Sequence, residues 1–120
     1  MLLFVYGTLR RGEANHAQLR DARFVATART EPQYELVDLG GYPALLEDGD
    51  TAIVGEIYEV DANKLERLDV FEDVPSLYER KSIRIADAEA EVYVMPRDRA
   101  DRAPRIADGD WRNKRLLIRS

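Results

Sequence analysis

The alternation of hydrophobic and polar positions along this chain predicts a protein built mainly from short strands. The continuous apolar run Leu2–Tyr6 has the length of a buried strand and ends at Gly7. From Arg23 to Thr30 apolar and polar residues alternate, which predicts a second strand with one buried face. Three further strands are predicted at Tyr34–Leu39, Ala44–Glu47 and Ala52–Val60.

Two helical segments interrupt the predicted strands. Asn15 is placed to cap a short helix that runs on through residues 16–19, and Asp61 to cap a longer one. We expect the longer helix to end by Pro75. Its apolar positions, which recur at helical spacing, are Leu65, Leu68 and Phe71.

A hairpin is predicted after the longer helix, from strands at Tyr78–Ile85 and Glu91–Met95 around a turn near Asp87-Ala88. The helices are too few for regular alternation with parallel strands. This pattern favours an α+β fold, with a mixed sheet or a small barrel, in one domain that spans residues 1–120.

Composition and charge exclude several classes of function. A net charge of −5 argues against nucleic acid as a partner. The chain has no cysteine and one histidine, His16, which excludes thiolate sites and sites with several imidazole ligands from one chain. Proton chemistry would therefore use carboxylates or tyrosines. The apolar N-terminus is too short for a signal peptide or a membrane span, so we expect a cytoplasmic protein with no membrane partner.

The first candidate for a binding site is the segment Tyr6-Gly7-Thr8-Leu9, where the first predicted strand opens into a loop. Backbone N–H groups here lack obligatory partners in a sheet, and the glycine permits a ligand to approach the backbone closely. The alternative is an ordinary glycine turn at the end of a strand.

A group of carboxylates at the end of the longer helix is the second candidate. If the helix continues that far, Asp69, Glu72 and Asp73 share one face, where they would bind a hard cation or simply be solvated. Glu72 also lies between Phe71 and Pro75, in surroundings that favour its neutral form. We therefore expect a raised pKa and a role in proton transfer.

Two competing acid or base candidates lie elsewhere. Glu56 shares a strand face with Tyr58 and is read either as a buried acid, as a satisfied ion pair or as an exposed edge residue. His16 is interpreted as a packed or surface helix residue. Tyr78 follows Glu72 by six positions and is expected to share its cavity.

An ordered set of motifs over about residues 1–95 resembles the γ-glutamylcyclotransferase-like superfamily. The likeness is to its small members, those related to γ-glutamylamine cyclotransferase, to the butirosin-pathway cyclotransferase and to the AIG2-like branch. The motifs are Val5-Tyr6-Gly7-Thr8-Leu9, Arg11-Gly12, Asn15-His16, Gly41-Tyr42-Pro43-Ala44, Gly55-Glu56-Ile57-Tyr58 and Leu68-Asp69-Val70-Phe71-Glu72, followed by Tyr78 and Arg80.

The resemblance implies a small β-barrel with flanking helices and an enzyme that needs no cofactor and no metal. Its substrate would be a small γ-glutamyl amine or isopeptide, whose α-amine attacks its own side-chain amide and releases 5-oxoproline and a free amine. Glu72 would be the catalytic acid and base. The implied substrate-binding residues are Tyr6, Gly7, Thr8, Leu9 and Tyr78. The competing hypothesis is a non-catalytic module that binds a similar carboxylate or amide ligand. No heptad or apolar stripe indicates an oligomeric state.

Overall fold

Seven strands form one sheet in the computed structural model, which describes residues 1–100 and 102–113. A ten-residue α-helix and two short 3₁₀ helices accompany the sheet; the 3₁₀ helices are His16–Leu19 and Arg97–Ala100. The strands are β1 (Leu2–Val5), β2 (Arg23–Arg29), β3 (Tyr34–Asp38), β4 (Pro43–Glu47), β5 (Val54–Glu59), β6 (Glu79–Ile85) and β7 (Ala88–Val94), and the helix is α1 (Ala62–Phe71).

The sheet is mixed, with β7 near its centre. Its order is β2-β5-β1-β7-β4-β3, and β6 pairs with β7 outside this path. β1 and β4 both run parallel to β7, at the registers Leu3–Glu91 and Leu45–Val94, and the other pairs are antiparallel. The predicted α+β class is confirmed. The sheet does not close, however, because its path ends at β2 and β3, so the predicted barrel is an open sheet in the described residues.

The apolar run in β1 is continuous because both of its faces are buried. Leu3 and Val5 belong to one hydrophobic cluster, and Phe4 and Tyr6 belong to a second one. Successive side chains of a strand point to opposite faces, so a strand covered on both sides needs apolar residues at every position. The end of β1 is therefore firmly placed in the core.

Helix α1 begins and ends where its local sequence dictates. Asp61 caps the helix as predicted, since its side chain accepts a hydrogen bond of 2.8 Å from the Lys64 backbone N–H. Leu65 and Leu68 are buried against the sheet, whereas Phe71 is 41% exposed. No helix in residues 1–100 and 102–113 has the length and apolar character needed to cross a membrane.

The first helical segment differs from its prediction. Residues 16–19 form a single 3₁₀ turn, and the Asn15 side chain makes no capping hydrogen bond. Its Nδ2 instead donates to the Thr8 side-chain oxygen at 3.0 Å. The polar side chain is thus recruited by a neighbouring loop, which leaves the turn uncapped.

The hairpin of β6 and β7 turns at Ala86 and Asp87, one position earlier than predicted. Both residues have positive φ, 51° and 63°, and the flanking residues Ile85 and Ala88 face each other. Two central residues of positive φ are the mark of a tight type I′ turn, usually built from Asn and Gly. Because this sequence lacks that signal, the pattern starts β7 too late.

Candidate active site

A cavity of about 270 Å³ opens between the end of β1, the turn between β3 and β4, the end of α1 and β7. It brings together every residue that the sequence analysis assigned to the site. Its lining residues are Phe4, Val5, Tyr6, Gly7, Thr8, Leu9, Ala14, Asn15, Gly41, Tyr42, Pro43, Phe71, Glu72, Leu77, Tyr78 and Tyr93.

Glu72 is the acidic residue of this cavity. Helix α1 ends at Phe71, and the Glu72 N–H still donates to the Leu68 carbonyl at 2.8 Å, while Asp73 turns the chain with a φ of 57°. Within the described residues, the Glu72 carboxylate has no hydrogen bond or ion pair. Burial disfavours its charged form and raises its pKa to about 7, as the apolar flanks predicted.

The loop after β1 turns its carbonyl groups toward its own later residues. The Gly7 carbonyl accepts from the Arg10 N–H at 3.1 Å, and the Thr8 carbonyl accepts from the Asn15 N–H at 2.9 Å. In a trans peptide the next N–H points opposite to the carbonyl, so the N–H groups of Thr8 and Leu9 point away from these partners. No acceptor for them, or for the Gly7 N–H, is found in residues 1–100 and 102–113.

Gly7 is required for space rather than for an unusual torsion. A Cβ atom at this position would lie 2.5 Å from Cγ of Pro43, closer than any real contact. Pro43 is fixed in turn by Tyr78, whose hydroxyl donates to the Pro43 carbonyl at 2.6 Å. The turn between β3 and β4 is thereby packed directly onto the loop after β1.

Three tyrosine hydroxyl groups near the cavity are already bound by the protein. The Tyr6 hydroxyl donates to the Tyr93 carbonyl at 2.6 Å and accepts from the Leu45 N–H at 3.1 Å, which ties β7 to β4. The Tyr93 hydroxyl donates to Asp69 at 2.8 Å, and that of Tyr78 is used as described above. Burial raises the pKa of all three, so they stay neutral near pH 7.

The predicted cluster of three carboxylates does not form. Asp69 accepts hydrogen bonds from Arg80 and Tyr93, Glu72 lines the cavity, and Asp73 is exposed beyond the helix. In the described part of the chain no group of His, Asp and Glu side chains is arranged to hold a metal ion. The hypothesis of a shared face is wrong because α1 ends at Phe71, after which helical spacing no longer applies.

Glu56 forms a second acidic centre, outside the cavity lining. Its side chain is almost fully buried, and its Oε1 accepts from the Arg11 N–H and the Tyr58 hydroxyl, each at 3.0 Å. Its Oε2 pairs with Arg10 Nε at 3.4 Å and Arg112 Nη2 at 3.7 Å. The interpretation of Glu56 as a member of a satisfied ion pair is confirmed. Burial, followed by the bond to Glu56, raises the pKa of Tyr58 to about 12.

His16 does not line the cavity. Its Nδ1 lies 2.9 Å from the Leu9 carbonyl, which can only accept, so Nδ1 carries the proton in this contact. Its ring packs against that of Tyr58, with 5.8 Å between centroids. The packed role predicted for this residue is confirmed.

Sequence reasoning missed several residues of the cavity. Asn15 and Tyr42 stand within motifs that carried the family resemblance, which was the available signal for them. Tyr93 is the next-to-last residue of β7 and carries no such signal. Tyr42 and Phe71 are 39% and 41% exposed, so their rings reach from the cavity to solvent.

Several proteins that are similar to this chain are named as cyclotransferases. The family described as "Gamma-glutamyl cyclotransferase, AIG2-like" matches residues 3–113. A Vibrio cholerae protein named "Putative gamma-glutamylcyclotransferase" is 42% identical over 111 residues, which cover 92% of this chain and 94% of that protein. The human "Gamma-glutamylaminecyclotransferase" is 46% identical over 93 residues, 70% of this chain and 61% of the human one. Among solved structures, a Pyrococcus horikoshii protein matches with a TM-score of 0.84 at 28% identity, over 99% of this chain and 96% of that one.

Proposed function

The chain belongs to the γ-glutamyl cyclotransferase, AIG2-like family of enzymes, and we propose that it cyclises a γ-glutamyl amine or isopeptide with Glu72 as general base and then general acid. The products are 5-oxoproline and a free amine. One observation carries the proposal: a carboxylate with a pKa of about 7 lines the same cavity as a loop of backbone N–H groups, and in the described part of the chain neither has a hydrogen-bond partner.

The proton transfers suit a carboxylate of this pKa. The α-ammonium of the glutamyl group loses a proton to Glu72, and the amine nitrogen then attacks the side-chain amide carbon. A carbon–nitrogen bond closes the five-membered ring, and the bond to the leaving nitrogen breaks as Glu72 returns the proton to it. The second proton of the ring nitrogen then passes by way of Glu72 to the departing amine, which leaves as an ammonium ion. A group whose pKa lies near the working pH performs both steps well, and such catalysis supplies about 10²-fold to 10⁴-fold.

The backbone of the loop after β1 supplies the complementary half of the site. When the amide carbon is attacked, its oxygen gains negative charge and needs fixed hydrogen-bond donors. The N–H groups of Thr8 and Leu9 are such donors, and removal of one donor of this kind slows an acyl transfer by about 10²-fold to 10³-fold. Since nucleophile and electrophile belong to one molecule, the cavity has only to hold the bent conformer that closes the ring.

The mouth of the cavity is where the leaving amine passes in this proposal. Tyr42 and Phe71 present rings that are partly in the cavity and partly in solvent. Rings in this position bind the apolar stem of an amine while its polar end stays in water. The γ-glutamyl unit occupies the interior beside Glu72.

The test is an assay of 5-oxoproline release from a panel of γ-glutamyl amines, including a γ-glutamyl-lysine isopeptide. We expect turnover by the wild-type protein and a loss of about 10²-fold to 10⁴-fold in Glu72→Gln. Glu66→Gln, an exposed acid on the same helix, is the matched control and should leave turnover unchanged. Undiminished turnover in Glu72→Gln contradicts the mechanism, and saturable binding of 5-oxoproline without turnover of any substrate favours a binding module.

A further inference from the structure

Glu56 binds the segment that directly follows Thr8 and Leu9, two residues of the cavity lining. The two residues after Leu9 are both bound by it: Arg10 through its side chain at 3.4 Å and Arg11 through its backbone N–H at 3.0 Å. Glu56 itself stands in β5, opposite Val5 of β1 in the register of the sheet. The loop is thus fixed at its start by the sheet and just past its tip by one carboxylate.

The direction of the Thr8 and Leu9 N–H groups depends on this segment. The carbonyl groups of Gly7, Thr8 and Leu9 are held by the Arg10 N–H, the Asn15 N–H and the His16 ring respectively. Because each peptide is planar, fixing a carbonyl also fixes the N–H of the next residue. A movement of residues 10–16 would therefore rotate the N–H groups of Thr8 and Leu9.

We propose that Glu56 is a positioning residue of the active site, which holds residues 10–16 so that the N–H groups of Thr8 and Leu9 face the reacting carbonyl oxygen. The inference rests on the proposed function, because it assigns those groups to the oxyanion. Glu56 acts through the loop and touches no substrate, since it lies outside the cavity lining.

The negative charge of Glu56 is essential to this arrangement. Arg10 is 5% exposed, and its guanidinium is shared between Glu56 and Asp110, whose Oδ1 accepts from Nη1 at 3.1 Å. A glutamine at position 56 can offer one oxygen and must turn its NH₂ group toward a neighbouring donor. Either Arg10 or the Arg11 N–H then loses its acceptor, and the segment shifts.

The test compares Glu56→Gln with Glu59→Gln. Glu59 lies on the same strand and also pairs with an arginine, Arg23, but both side chains are at least half exposed. We expect Glu56→Gln to lower kcat by about 10-fold to 10²-fold with KM changed less than about 3-fold, because an oxyanion exists only in the transition state. Glu59→Gln should match the wild type in both constants.

A second measurement separates this proposal from the proposed function. The ¹H–¹⁵N signals of the Thr8 and Leu9 amides should shift, and their hydrogen exchange quicken, in Glu56→Gln and not in Glu59→Gln. Absence of turnover in the wild-type protein would refute the proposed function, and the amide signals would then decide the positioning role alone. Unmoved Thr8 and Leu9 signals, or a wild-type kcat in folded Glu56→Gln, overturn the proposal.

Tyr58→Phe keeps the proposal testable if Glu56→Gln does not fold. It removes one donor from Glu56 Oε1 and leaves the bond from the Arg11 N–H in place. We expect kcat to fall by about 2-fold to 10-fold, with smaller shifts of the same two amide signals. Wild-type kcat together with unmoved signals in this variant also overturns the positioning role.

Discussion

Two glutamates of this protein, Glu72 and Glu56, have contrasting environments. Glu56 is 3% exposed and is surrounded by donors, whereas Glu72 is less buried and has no partner in the described residues. Burial without such donors raises the pKa of Glu72 to about 7. The comparison shows that the donors around an acid, more than its depth, decide whether its carboxylate is held in structural contacts or is left open to a ligand.

The local chain explains the difference. Glu72 directly follows the last residue of α1, where the exposed carbonyl groups of the helix end make negative charge unfavourable and where no described residue donates to the carboxylate. Glu56 lies on β5 beside a loop that carries two arginines. One environment keeps the carboxylate ready for chemistry, and the other fixes it as part of the structure.

The largest expected effect is on the stability of Glu56→Gln. This change removes the charge of one partner of a buried ion pair and leaves either Arg10 or the Arg11 N–H without an acceptor, so the free energy of unfolding should fall by about 3 to 4 kcal/mol. Urea unfolding measures it, with Glu59→Gln, in a solvent-exposed pair, expected within about 0.5 kcal/mol of the wild type. Equal losses of stability in the two variants would show that the buried pair of Glu56 contributes no more than the exposed pair of Glu59.

Gly7→Ala should come next, because it pushes apart the two walls of the cavity. The new methyl group meets Cγ of Pro43 at 2.5 Å, and overpacking of this kind costs about 2 kcal/mol in the free energy of unfolding. Turnover should fall as well. Pro43→Ala removes the opposing atoms, so the double variant should lose less stability than the sum of the two single changes. Strict additivity would show that the close approach does not constrain the loop.

Glu72→Gln, unlike the two changes above, should raise the free energy of unfolding, and the size of the increase should depend on pH. The pKa of Glu72 is raised on folding from 4.5 to about 7, so the wild-type protein loses stability as the pH rises through this window. Glu72→Gln lacks this loss. It should match the wild type below pH 4.5 and be more stable by about 1 to 2 kcal/mol at pH 8, allowing for partial exposure to water. A variant that is less stable than the wild type at pH 8 would mean that the carboxylate has a partner.

Tyr78→Phe should give the smallest effect. It removes the hydrogen bond to the Pro43 carbonyl, which should lower the free energy of unfolding by about 1 kcal/mol. Because the phenol proton is already committed to that carbonyl, KM should change less than about 3-fold. Steady-state kinetics provides the check, and a rise in KM of about 10-fold or more would indicate that the hydroxyl contacts the substrate.

Features set by neighbouring residues were predictable from the sequence. The apolar run in β1, the Asp61 cap of α1 and the apolar flanks of Glu72 all act over a few positions, and the structure confirms the strand, the cap and the raised pKa. The residues of the site came from the ordered motifs of a family. Pattern alone left Tyr6–Leu9 open between a ligand loop and an ordinary turn.

Features set by distant residues were not predictable. The open edge of the sheet depends on β2 and β3 failing to pair, and no local pattern records that. The Tyr6 hydroxyl meets the Tyr93 carbonyl across 87 positions of sequence, and Glu56 meets Arg11 across 45. Such contacts follow from the completed tertiary structure, in which a side chain takes whichever partner the packing brings to it.

The central position of β7 determines when the sheet can be completed during synthesis of the chain. Residues 88–94 are synthesised after β1 and β4, yet they lie between these two strands in the sheet. They also supply the Tyr93 carbonyl, to which the Tyr6 hydroxyl donates. A nascent chain that has not yet exposed them carries β1 with an unpaired edge and a cavity with one wall absent. The cavity is therefore complete only once residues 88–94 have left the ribosome and joined the sheet.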